Sequence, residues 1–186
     1  MKKVLLIIIL TLCIFQMVVL ATAIDIGSAA IDRGYVISYV YATAIDKNNP
    51  ANDSGIIDTI EIWANVELAD CKVATFFVVS GNNLSTRDYE TVNNGNGAGV
   101  VLAGSKQTFT VNLDVEAGDY IGLDYTAGSI ERGNTGGGYW IQTGNVDCIP
   151  CTNKTFTLGA DRTLSIGGTG ETEEEAENAI FFGMNF

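Results

Sequence analysis

Between Thr108 and Val115 the side chains alternate without a break. Phe109, Val111, Leu113 and Val115 are apolar, and Thr108, Thr110, Asn112 and Asp114 are polar. A period of two places successive side chains on opposite sides of an extended backbone, so this run makes a strand with one dry and one wet face. Ile60, Ile62 and Ala64 follow the same rule, with Thr59, Glu61 and Trp63 on the other side. Residues 35–41, 56–66, 71–79, 106–115, 120–125, 139–143 and 155–158 are all short runs rich in β-branched and aromatic side chains. Clusters of Gly, Asn, Asp and Ser separate them, among them Asn48-Asn49-Pro50, Asp53-Ser54-Gly55, Ala117-Gly118-Asp119 and Gly136-Gly137-Gly138. No stretch of this part carries a helical period. The pattern predicts an all-β protein, an antiparallel two-sheet jelly-roll-like β-sandwich of about ten strands.

The first residues read differently. Met1-Lys2-Lys3 is basic, residues 4–20 are uncharged and mostly apolar, and Ala21-Thr22-Ala23 ends the stretch with small side chains. That order is the pattern of a secretory signal peptide over residues 1–23, with cleavage after Ala23. If it stays uncleaved, the same segment is the one part of the chain expected to touch a membrane, since its length is at the lower limit for spanning. The expected location is therefore secreted, or at the extracellular surface. Removing residues 1–23 takes away two of the ten basic side chains and none of the 22 acidic ones, moving the formal net charge from −12 to −14. Nucleic acid is not an expected partner, because neutralising phosphates needs clustered Lys and Arg.

With 47% apolar and 17% charged residues, the remainder can bury one core without a disulfide scaffold. Three cysteines follow the signal segment: Cys71, Cys148 and Cys151. An odd number in an oxidising compartment leaves one unpaired or bonded between chains. Cys148-Ile149-Pro150-Cys151 has the spacing of a redox pair or half a metal site, but no helical pattern follows it and there is no second Cys-x-x-Cys. The expected role is a staple from Cys71 to one of the other two.

Catalysis finds little footing. The chain has no histidine, so Ser/His and Cys/His nucleophilic pairs and histidine metal sites are excluded. A carboxylate pair could still serve a glycosidase. Asp46, Asn48, Asn49, Asn52 and Asp53 gather oxygens within eight residues, and calcium is the cofactor such a loop could hold, although the same residues are ordinary turn formers. Trp63 and Trp140 are candidate platforms for a glycan, whose apolar face can lie on an indole ring. Asn52, Asn83 and Asn153 each begin an Asn-x-Ser/Thr glycosylation triplet, all in expected turns.

The C-terminal end changes composition abruptly. Residues 171–177 carry five acids in seven positions, an expected solvated linker, and residues 178–186 are almost wholly apolar. Ala179, Ile180, Phe181, Phe182, Met184 and Phe186 cannot remain free in water. They could close the protein's own sheet, add as a donor strand to a neighbouring copy, or belong to an outer-membrane barrel; the strands lack the sustained lipid-facing row a barrel needs.

Residues 24–31, Asp46-Lys47-Asn48-Asn49-Pro50-Ala51-Asn52, residues 72–78, Ala103-Gly104-Ser105-Lys106-Gln107-Thr108-Phe109, Ala117-Gly118-Asp119-Tyr120-Ile121-Gly122 and Gly168-Thr169-Gly170 resemble a group of uncharacterised β-sandwich domains in phage and environmental surface or fibre proteins. The resemblance spans about residues 24–170. It implies a building block of particles, fibres or surfaces, with no catalytic residues to transfer, and the secretion signal departs from it. The expected function is a secreted, non-enzymatic structural or adhesive subunit that self-assembles into an extracellular filament by strand addition, with copies of itself as partners. The donor would be residues 178–186 or the early segment 24–31. The alternative is a monomeric carbohydrate-binding sandwich with a glycan as partner, and a further one is a carboxylate-based glycosidase.

Overall fold

The computed structural model describes residues 21–39, 41–144 and 148–172. Among them are fourteen strands and no helix, arranged as two antiparallel sheets packed face to face. In the first sheet β1 (Ala23–Gly27), β14 (Ile166–Glu171) and β4 (Gly55–Ala69) lie side by side. The long β4 then divides its partners: β7 (Lys106–Val115) pairs with its first part and β9 (Ala127–Gly133) with its second. Beyond β9 lies β2 (Tyr35–Ile37), and β13 (Thr163–Leu164) also pairs with β9. The second sheet runs β11 (Lys154–Thr155), β6 (Asn83–Thr91), β5 (Lys72–Ser80), β8 (Tyr120–Tyr125), β3 (Ala42–Asp46), β10 (Tyr139–Thr143) and β12 (Thr157–Gly159).

The alternation seen in the sequence sets the first sheet's two faces. On β7 the apolar Phe109, Val111, Leu113 and Val115 are buried and the polar positions between them are mostly exposed. They meet Ile57, Ile60 and Ile62 of β4, Ile24 and Ile26 of β1, and Ile121, Leu123 and Tyr125 of the second sheet in one cluster between the sheets. Each fully buried aliphatic side chain there contributes on the order of 1.5–3 kcal/mol.

The second sheet does not alternate in this way. Cys71 and Val73 face the cluster between the sheets, whereas Ala74 and Phe76 of the same strand face a second cluster with Ile45, Leu84, Trp140, Cys148, Ile149 and Phe156. A sheet buried on both faces is buried at successive positions, as residues 73–76 are; Phe77, Val78 and Val79, which continue the apolar run, are exposed. The cover for this second face is the segment following Cys148. Thr155 pairs with β6 and Thr157 pairs with β10, with Phe156 between them pointing into the second cluster. In a flat sheet β6 and β10 would be four strand spacings apart, roughly 19 Å. Thr155 and Thr157 are separated by at most about 7 Å of chain. The sheet is therefore curled, and one short segment closes it.

Several expected strand limits change. The run at 106–115 is a strand over that whole length, as are 120–125 and 139–143. Of residues 35–41 only Tyr35–Ile37 is strand, and Tyr41 has a φ of 56°, which ends an extended run. The run at 155–158 splits at Phe156 because its two halves pair with different strands. Gly167-Gly168, a pair of glycines such as is usual in turns, lies within β14. A Cβ at Gly168 would come 2.8 Å from Ile60 Cδ1, and one at Gly170 would come 1.9 Å from the Ile56 carbonyl oxygen, so these glycines admit close approach of β4. Glu171, expected to open the acidic linker, is the last residue of β14 and pairs with Ala23.

Candidate functional site

The Asp46 to Asp53 loop leaves the end of β3 and crosses to the first sheet. Asp46 is fully buried. Ser28 Oγ donates to its Oδ2 at 2.5 Å, the Asn48 amide and the Leu164 N–H donate to its Oδ1, and the Arg33 guanidinium acts on it through space. Burial pushes the Asp46 carboxyl above its ordinary range, and these donors and the Arg33 charge oppose the shift. Arg33 is itself tied down, donating from Nε to Ser165 Oγ at 2.9 Å and from Nη2 to the Ala29 carbonyl at 2.8 Å. This buried polar knot ties β3 of the second sheet to β13 and the residues after β1 in the first.

The loop's other oxygens are likewise engaged. Asn52 Oδ1 accepts the Asp25 N–H at 2.8 Å, its Nδ2 donates to the Ala23 carbonyl, Asn49 Nδ2 donates to Asp25 Oδ2, and Asp53 Oδ1 accepts the Ser54 N–H. Asp46, Asn48, Asn49, Asn52 and Asp53 are thus not turned toward a common point. Among the described residues no group of three or more His, Cys, Asp or Glu side chains is arranged to hold a metal ion. What the loop does is cover β1: the Gly27 N–H also donates to the Asn49 carbonyl at 2.7 Å, so residues 49–52 satisfy the margin of the sheet as another strand would.

The two tryptophans separate. Trp140 is buried in the second cluster, its Nε1 donates to Asn82 Oδ1 at 2.9 Å, and its ring meets Tyr120 edge-on at 5.0 Å. It is packing, and the expectation of a Trp140 platform is corrected: on a strand buried on both faces neither side is open. Trp63 lies on the outer face of β4, half-buried, opposite Lys106 of β7. Two residues away Glu61 holds Lys106 Nζ at 2.5 Å. Next to Glu61, on the same face, is a depression of about 330 Å³ lined by Asp25, Ser28, Glu61, Gly167 and Thr169 among others.

The cysteine staple is also corrected. All three cysteines are free thiols. Cys71 points into the cluster between the sheets, while Cys148 and Cys151 belong to the cluster on the opposite face of the second sheet, so β5 and its neighbours stand between them. Burial pushes the Cys71 thiol well above its ordinary value, the Asp124 charge acting in the same direction, and burial raises Cys148 too. Thiols held protonated are packing groups and poor nucleophiles.

Of the three glycosylation triplets, Asn153 presents an exposed side chain in a turn. Asn52 is exposed with its amide engaged at the β1 margin. Asn83 is not in a turn: it opens β6, and its Oδ1 accepts the Thr155 hydroxyl.

Three residues outside the expected set turn out to organise the surface. Asp88 and Glu90 of β6 accept the Asp114 and Asn112 N–H groups and so block part of the free margin of β7. Arg87 pairs with Asp119 and with Glu116, and the hydrogen bond to Asp119 raises its already high pKa. Only charge in a polar strand could have pointed to them. Residues 1–20 of the expected signal peptide 1–23, and the expected assembly strand Ala179, Ile180, Phe181, Phe182, Met184 and Phe186, lie outside the described residues. Among the described residues no helix is long and apolar enough to cross a membrane. No protein-family model matches the chain, and no curated protein matches it.

Proposed function

We propose that this is an exported, non-enzymatic subunit that assembles by strand addition, residues 178–186 of one copy pairing with the β2 margin of the next. The observation that carries this reading is the unequal treatment of the sheet margins. β1 is covered by residues 49–52, β7 is partly blocked by Asp88 and Glu90, and the second sheet is closed by its own chain. Among the described residues no strand lies beyond β2 and no backbone hydrogen bond joins it to anything but β9; Arg132 Nε donates to the Val36 carbonyl at 3.2 Å, leaving the Val36 N–H on the margin. Exposed apolar side chains gather at the same place: Ile31, Tyr35, Tyr39 and Tyr41 are each 44–55% exposed. An unpaired margin with apolar flanks is a template for an added strand. The early segment 24–31 is not the donor, since β1 pairs with β14 of its own chain and buries Ile24 and Ile26 in its own core. A contact between two different surfaces propagates into a filament unless its rotation closes.

Electron micrographs of the full-length chain should show filaments, and deleting residues 178–186 should abolish them while the far-ultraviolet circular dichroism of the body is unchanged. Val36→Pro, which removes a margin N–H, should weaken assembly in the full-length chain. Filaments formed by the truncated protein would end the proposal that this tail is the connector.

A further inference from the structure

The outer face of the first sheet carries two side-chain rows fixed by strand register. One row crosses four strands through Thr110, Thr59, Thr169 and Asp25, and the next passes through Thr108, Glu61, Gly167 and Gly27. Gly167 bears no side chain and lies against the Ser28 backbone, and a Cβ at Gly27 would face Ile121 in the core, so the second row ends at β14; beside Glu61 and Thr169 lies the depression of about 330 Å³. One step further along β4, on the same face and about 6.6 Å from Glu61, stands Trp63. A trough at the low end of ligand-site volume, with Asp25, Ser28, Glu61 and Thr169 as its polar groups and Ile26 and Ala29 among its apolar ones, thus lies beside a half-exposed indole.

The chemistry of the walls selects the occupant. Asp25 and Glu61 repel anions, and the two cations nearby are engaged, Lys106 by Glu61 and Arg33 by Ser165 and the Ala29 carbonyl. A wholly apolar ligand would meet Ile26 and Ala29 but also the hydroxyls and carboxylates of Ser28, Thr169, Asp25 and Glu61. A ligand that is uncharged, rich in O–H donors and flat enough on one side to lie against indole suits every wall: its hydroxyls donate to Asp25 and Glu61, exchange hydrogen bonds with Thr169, and its C–H face rests on Trp63.

We infer that the trough between β4, β14 and β1 binds the pyranose units of a neutral polysaccharide, with Trp63 as stacking platform and Glu61, Asp25 and Thr169 as hydroxyl partners. This site lies in register rows away from β2 and needs no second copy. Binding should therefore survive deletion of residues 178–186, and loss of assembly and loss of binding are read separately.

The test is affinity electrophoresis of the full-length protein in gels containing β-glucan, mannan, xylan or galactan, followed by calorimetric titration with oligosaccharides of the one that retards it. At least one neutral polysaccharide should retard the protein saturably, in the presence of a chelator as well as in its absence. Trp63→Ala should weaken that binding more than tenfold. Glu61→Gln and Thr169→Lys, both substitutions of side chains at the surface, should each weaken it several-fold with the thermal melt unchanged, so a folding failure of the tryptophan variant does not protect the idea. No retardation by any of the four polymers, or retardation indifferent to all three substitutions, overturns it.

Discussion

The first sheet keeps one face in water and covers its β1 and β7 margins with a loop and side chains, whereas the second sheet buries both faces along β3, β8, β10 and the first half of β5 and is closed by the chain itself. The polar row Thr108, Thr110, Asn112 and Asp114 on β7 has no counterpart on β5, where Ala74 and Phe76 look into one core and Val73 into another. The difference teaches where this molecule can tolerate variation: a polar surface open to solvent or to a ligand exists on the first sheet, and the second is interior along β3, β8, β10 and the start of β5, with Phe77, Val78 and Val79 exposed at the far end of β5.

The sharpest way to break that contrast is to truncate matched positions. Phe76→Ala empties the second core, where the ring is fully buried and meets Phe156 edge-on at 6.3 Å. It should cost about 3–5 kcal/mol in urea denaturation, against less than about 0.5 kcal/mol for Thr110→Ala on the wet face of β7. Comparable losses would mean that the first sheet's outer face is covered after all. A smaller effect is expected at the side-chain cover itself. Asn52→Ala removes two hydrogen bonds to the β1 backbone and should cost about 1–2 kcal/mol, with faster amide exchange at Asp25 as its local signature. Unchanged exchange there would show that the loop backbone alone covers the margin.

The smallest and most specific effect concerns the knot where the two sheets meet. The Asp46 carboxyl sits above its ordinary range in the folded protein, so folding favours its protonated form. Its contribution is fully present below the unfolded value near pH 3.9 and is lost as pH rises through the raised folded value. The melting temperature of the native chain minus that of Asp46→Asn should therefore fall from about pH 4 toward neutrality. A difference that grows with pH would mean that Ser28, Asn48, Leu164 and Arg33 outweigh burial.

Much of the first sheet was readable from side-chain order, because a half-wet strand announces itself by alternation. β7 begins and ends where its pattern does. The second sheet was read less well. β6 carries Asn83, Ser85, Thr86, Arg87 and Asp88, residues usual in turns, and is a strand because its neighbours and the closing segment pair with it. β14 is glycine-rich for packing reasons that depend on β4, which no local reading contains. At the candidate site the face shared by Thr59, Glu61 and Trp63 was visible from spacing. The depression beside it was not, since its lining comes from three strands distant in sequence. Trp140 and the cysteines misled for one reason: sequence does not say which side of a doubly buried sheet a residue faces.

One pairing bears on how such a chain comes into being. β1 is hydrogen-bonded along its length to β14, and the Thr172 N–H reaches the Thr22 carbonyl, so beginning and end of the described chain complete the same sheet. The earliest strand to leave a ribosome must wait for the last before it has a companion. Contacts this distant in sequence form slowly, and of the described strands the first is completed only when the last has been made.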